Sequence, residues 1–91
     1  MTKRSFVNRI AVATGYPKVH VDQIIDLFLE QLVDTLANDG RIELRDFGVF
    51  RTVELDARVG RNPRTGAPVD IPAARHVRFR AGKLMRDELN R

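Results

Sequence analysis

Between positions 58 and 86 stand eight basic residues, Arg58, Arg61, Arg64, Arg75, Arg78, Arg80, Lys83 and Arg86, against a single acid, Asp70. Seven of the eight are arginine, whose planar guanidinium forks onto phosphates and base edges where lysine offers a point charge. Up to Phe47 the balance differs: six basic residues meet seven acids, and that part is nearly neutral. A surface kept basic for solubility usually mixes signs. A run of one sign points instead to a polyanion partner.

Other chemistries are poorly supplied. Without cysteine there is no disulfide framework and no thiolate site, and His20 and His76 share no metal-ligand spacing. Asp22, Asp26, Glu30 and Asp34 recur every four residues along one side of a helix. They read as a solvated face, because nothing near them would hold a carboxyl protonated at neutral pH. No nucleophile, base and orienting group can be placed together, so no enzyme, cofactor or metal is expected. The polar start Met1-Thr2-Lys3-Arg4-Ser5 leads into no signal-peptide core. No run approaches the roughly 18 apolar residues of a membrane span. An intracellular protein that does not engage a membrane is the expectation.

The elements that must position the arginines follow from periodicity. Thr2 can cap a first helix carrying Phe6, Val7, Ile10 and Ala11, which Gly15 stops before the Tyr16-Pro17 turn. In the second helix Val21, Ile24, Ile25, Phe28, Leu29, Leu32, Val33 and Leu36 form a stripe ending at Asn38-Asp39-Gly40. That stripe is wider than a short first helix can cover. Ile42 and Leu44 then alternate with charged residues as a strand, Asp46-Phe47-Gly48 reads as a turn, and Val49 to Asp56 as a second strand. Phe50 and Val53 are three apart, which predicts a bulge. A third strand, Arg75 to Arg80, puts Val77 and Phe79 on an inner, core face and His76, Arg78 and Arg80 on an outer, basic one. His76 is in line for a weak phosphate contact, whereas His20 has only a local role. Lys83 to Asn90 forms a last helix with Leu84, Met85 and Leu89 available to pack.

Between the second and third strands, Ala57 to Ala73 reads as a long hairpin turning at Asn62-Pro63-Arg64-Thr65-Gly66. Its limbs lack large apolar residues for a core, and its prolines suit only an edge or irregular ribbon. Such a ribbon is marginal in water and is expected to be ordered only on a ligand. With about six residues per limb it would extend roughly 20 Å. Arginines along a ribbon with proline at its tip match a minor-groove reader with an apolar wedge. On composition alone Pro63 reads first as a turn residue only.

Gly48-Val49-Phe50, Gly60-Arg61-Asn62-Pro63-Arg64-Thr65-Gly66, Ile71-Pro72-Ala73 and Phe79-Arg80-Ala81-Gly82-Lys83 resemble, over the whole chain, the bacterial histone-like HU and integration host factor family. The resemblance implies an α+β fold in one 1–91 domain that forms an intertwined dimer. Residues 1–40 would make a helical dimerisation base and residues 41–82 a three-stranded antiparallel sheet, with a protruding two-stranded arm at about 57–73 and a last helix at 83–91. Phe28, Leu32, Leu44, Phe47, Phe50 and Phe79 would fill the dimer core.

Pro63 would insert between base pairs while Arg58, Arg61, Asn62, Arg64 and Thr65 contact groove and backbone. Arg51, Arg75, Arg78, Arg80, Lys83 and Arg86 would line the saddle and flanks. The implied function is architectural: binding and bending double-stranded DNA in the cytoplasmic nucleoid, largely without sequence specificity, with bent, nicked or gapped DNA preferred.

A homodimer is expected, with a heterodimer left open. A site-specific bending subunit like integration host factor remains an alternative, as does a scaffold whose basic ribbon binds RNA or another polyanion. Two departures from the family pattern stand out. Val53 and Leu55 occupy positions where many relatives are basic, and with Glu54 and Asp56 beside them Arg51 is left as the cation on that stretch. Asp46 replaces a glycine common before the Phe-Gly pair.

Overall fold

Helical periodicity gives way to strand periodicity after Gly40, and the computed structural model, which describes residues 1–91, has that order. The elements are α1 (Lys3–Thr14), α2 (Lys18–Asn38), β1 (Arg41–Leu44), β2 (Gly48–Leu55), β3 (Arg58–Arg61), β4 (Pro68–Ile71), β5 (Ala74–Ala81) and α3 (Lys83–Leu89). All strand pairs are antiparallel, in a three-stranded sheet ordered β1-β2-β5 and a two-stranded sheet β3-β4. The fold class is α+β. No helix is long and apolar enough to cross a membrane.

Two compact units divide the chain, Met1–Thr35 and Leu36–Arg91. In the first, Thr2 is the extended N-cap of α1 and its N–H donates to Ser5 Oγ at 3.2 Å. At the other end Gly15, at φ 77°, returns its N–H to Ala11 O at 2.8 Å. That left-handed exit is open to glycine without a Cβ clash. Pro17 lends its carbonyl to the N–H groups of His20 and Val21 and so opens α2. Val7, Ala11 and Val21 are buried together, with Ile25 packed against them.

In the second unit the β1–β2 turn passes through Asp46 at φ 64°, the conformation for which glycine is the usual choice. A short polar side chain tolerates this region better than most, which is how aspartate can stand there. The bulge expected in β2 is absent. Gly48 to Leu55 pair one to one with Ala81 to Ala74, and Arg41 to Leu44 likewise with Arg51 to Gly48. Thr52, not Val53, is the residue on the Phe50 face, and its N–H and hydroxyl both approach Gly40 O, at 2.9 and 3.4 Å. With its polar group satisfied, Thr52 fills that face without a shift of register.

Phe47, Phe50 and Phe79 form one ring cluster, with Phe50 and Phe79 centroids 4.7 Å apart and Phe47 5.5 Å from Phe79. The inner face of β5 is not core within the chain: Val77 and Phe79 are exposed. Gly48 is buried beneath this cluster, where an added Cβ would meet the Phe79 ring at 2.5 Å and Arg80 O at 2.6 Å. Gly48→Ala should therefore cost about 1–3 kcal/mol through overpacking, lowering Tm by several degrees in thermal denaturation. An unchanged Tm would mean that the ring cluster can yield at no cost.

Candidate nucleic-acid interface

Strand alternation sorts the cations of the second unit. Along β2 the residues Val49, Arg51, Val53 and Leu55 share one face, and opposite them stand Arg80, Arg78, His76 and Ala74 of β5. Arg41, paired with Arg51 from β1, has the same parity. Arg41, Val49, Arg51, Arg78, Phe79 and Arg80 line a concavity of about 450 Å³. The guanidinium groups of Arg51, Arg78 and Arg80 have no ion pair or hydrogen bond within the chain. The acid on that face, Glu43, lies 3.8 Å from Arg41, which leaves the other three guanidinium groups open to an external anion. Val53 and Leu55 make the next part of that face apolar, so the cations of the sheet come mainly from β5.

The β2–β5 pairing ends at Leu55 opposite Ala74, and the separate ladder of the arm begins at Arg58 opposite Ile71 with the same offset. Asp56 and Ala57 on one limb and Pro72 and Ala73 on the other lie between the two ladders, and Arg58, Val59, Gly60 and Arg61 then pair with Ile71, Asp70, Val69 and Pro68. Each limb has four paired residues rather than the expected six, about 13 Å of strand. The limbs close tightly because Ile71 lies over Gly60, where a Cβ would come within 2.7 Å of Ile71 Cδ1.

At the tip, Asn62 Oδ1 accepts the Arg64 N–H at 2.8 Å, and Asn62 O accepts the Gly66 N–H at 2.7 Å. Asn62 N–H donates to Ala67 O at 2.8 Å. Thr65 Oγ1 accepts the Ala67 N–H at 3.2 Å, and Arg61 Nη1 donates to Gly66 O at 3.1 Å. Gly66 exits at φ 72°, as the turn signal required. Pro63 is thus carried exposed at the end of a turn stapled on both sides.

The candidate site residues do not form a single group. Arg51, Arg78 and Arg80 converge on the sheet; Arg58, Arg61, Asn62, Pro63, Arg64 and Thr65 belong to the arm. Lys83 is paired with Asp87 at 2.7 Å on α3, while the Arg86 guanidinium has no partner. Arg75 has the other parity from Arg78 and Arg80, and its guanidinium donates to Ala37 O and Leu36 O. Its grouping with the saddle cations, made from its place in the run, does not match its position.

Sequence reading passed over Arg41, although the two-residue alternation of β1 and its turn into β2 could have aligned it with Arg51. It also passed over a second basic cluster, Lys3, Arg4 and Lys18, around a cavity of about 600 Å³ in the helical unit. There Asp26 at 2.7 Å and Asp22 at 3.3 Å hold the Lys3 ammonium above the usual lysine range, chiefly through the Asp26 hydrogen bond.

Residues 1–90 match the family described as Bacterial DNA-binding protein. The probable DNA-binding protein HU of Chlamydia trachomatis is 41% identical over 87 residues, 94% of this chain and 87% of that protein, and the Chlamydia muridarum protein gives the same figures. An Anabaena HU–DNA cocrystal structure superposes with a TM-score of 0.88 at 34% identity, over 98% of this chain and 97% of that one. An HU mutant from Thermotoga maritima, at 24% identity and TM-score 0.71 over 98% and 99% of the two chains, shares the fold.

If the Asn62 side chain holds the tip, Asn62→Ala should speed hydrogen exchange of the Arg64 amide by about tenfold, measured by NMR. Unchanged protection would assign the turn to its backbone bonds alone.

Proposed function

This chain belongs to the bacterial DNA-binding protein family, that of HU and integration host factor, and we propose that it is an architectural protein of the cytoplasmic nucleoid that binds and bends double-stranded DNA. The family consists of DNA-binding proteins, not enzymes, and the reading requires no cofactor. The observation that carries it is the unpaired cationic face of Arg51, Arg78 and Arg80 on the two strands that lead, with the same pairing offset, to an arm tipped by Pro63.

In this reading Arg51, Arg78 and Arg80 neutralise phosphates beneath the duplex, with Lys83 and Arg86 at its flanks. Arg58, Arg61 and Arg64 follow the minor groove. Asn62 and Thr65, bonded within the tip, present Pro63 to a base step, which it partly unstacks. Each phosphate neutralised contributes a slope of about −0.9 in a log–log plot of affinity against salt. Bending a short site costs on the order of 1–6 kcal/mol, offset by flank contacts that straight DNA cannot reach. DNA already bent, nicked or gapped avoids part of that cost and is preferred. Since phosphate contacts carry no base identity, binding is largely independent of sequence.

The active form is a dimer, and a homodimer is the simplest one. Its support is the apolar surface a lone chain leaves uncovered: only Val7, Ala11, Val21 and Leu36 are buried hydrophobics. Phe28, Phe47 and Phe79 remain 50%, 46% and 42% exposed, and Leu32, Leu44 and Phe50 are half-buried. Together these six residues would form the core between subunits.

Fluorescence energy transfer between dyes at the ends of a short random duplex tests the reading. The wild-type protein should shorten the end-to-end distance, and Pro63→Ala should reduce the bend more than the affinity. A bend unaffected by Pro63→Ala would remove the wedge. Competition by random duplex as effective as any chosen sequence is expected; a strong preference for one sequence would make it a site-specific bender. Equal affinity for RNA with no DNA bend would make it a polyanion scaffold.

A further inference from the structure

We propose that Arg75 is a positioning residue that ties the root of the arm to the carboxyl end of α2, rather than a phosphate ligand like its neighbours in the arginine run. Its geometry stands by itself; its consequence for DNA rests on the reading above. On β5, His76, Arg78 and Arg80 alternate away from Arg75, which pairs with Glu54 and shares its parity with Val77 and Phe79.

From there the guanidinium reaches back to α2. Nη1 donates to Ala37 O at 3.2 Å, and Nη2 donates to Leu36 O at 3.3 Å and lies 3.5 Å from Thr52 Oγ1. The last carbonyls of a helix have no intrahelical donor and form the negative end of its dipole. No basic residue stands in the last turn of α2, so a strand 38 and 39 residues further along the chain supplies the cation that the helix lacks.

Thr52 completes the tie. Its N–H is bonded to Gly40 O, just beyond the end of α2, so that one guanidinium joins the helix end, β2 and β5. The next pair outward, Leu55 with Ala74, is the last before the arm. The arm therefore departs from a root fixed at Arg75. Whatever direction it needs to enter a groove depends on this tie, while the phosphate contacts themselves belong to the opposite face.

Arg75→Gln and Arg75→Lys, with Arg78→Gln as reference, separate the two roles when Kd for random duplex is measured over a salt series. Both Arg75 variants should bind about tenfold more weakly at one salt concentration, as for loss of one charged hydrogen-bonded contact. Their log–log salt slope should equal that of the wild type, because no phosphate contact is lost. Lysine should fail to rescue, since it keeps the charge but not the fork that spans two carbonyls. Arg78→Gln should instead flatten the slope by about 0.9 for each contact removed. A flattened slope in Arg75→Gln with rescue by Arg75→Lys would make Arg75 a phosphate ligand, and unchanged affinity in both variants would dismiss the tie.

If the variants fail to fold, NMR of the wild-type guanidinium groups without DNA decides the matter. The Arg75 Nη protons should exchange more slowly than those of Arg78, and equal exchange would overturn the proposal. Because that measurement involves no DNA, its failure is distinct from a failure of the wild-type protein to bind duplex, which would sink the DNA-binding reading itself.

Discussion

Successive side chains of a strand point to opposite faces, so a slip of one residue in pairing would exchange the faces of every residue beyond it. The pairing of β2 with β5 carries that constraint here. It holds from Gly48 opposite Ala81 to Leu55 opposite Ala74, and the β3–β4 ladder keeps the same offset from Arg58 opposite Ile71 to Arg61 opposite Pro68. Through it Phe50 meets Phe79 on one face while Arg51 meets Arg78 on the other. A bulge at Val53 would have turned the arm, with Pro63 at its end, over relative to the cationic face.

What holds the register is modest in size. The Gly48 contact beneath Phe79 leaves no room for a Cβ, Thr52 is bonded to Gly40, and the turn between β1 and β2 passes through Asp46 at φ 64°. None of these involves the side chain of Arg51, Arg78 or Arg80. The cationic face is thus free of structural duty at Arg51, Arg78 and Arg80, and a ligand can occupy those side chains without dismantling the sheet. Arg75 is the exception because its fork is already engaged with the α2 carbonyls.

The apolar residues tell a complementary story. A 91-residue chain is small for a self-sufficient core, and the stripe on α2 and the ring cluster of the sheet both keep large faces uncovered. In the proposed dimer these faces would be buried and the arms doubled. Two half-clamps would then act on one duplex, so the free energy that stabilises the fold would also assemble the binding surface.

Helix ends at Gly15 and Gly40, the tip turn at Asn62 to Gly66 and the concentration of arginine after position 57 were legible in the sequence because each depends on local chemistry: left-handed exits, capping side chains and net charge. The family motif was legible for the same reason. The bulge prediction failed because Phe50 and Val53 look like one interrupted face until Thr52 finds its acceptor on Gly40, twelve residues away. The role of Arg75 was beyond local reading, since its partners Leu36 and Ala37 lie nearly forty residues earlier. Sequence by itself determined which segments are helix, strand and arm, and that the arm and last strand are basic. Only the tertiary structure decided which arginines share a face and which one is bound to the scaffold, because facing depends on pairing between distant strands and on carbonyls left open where a helix ends.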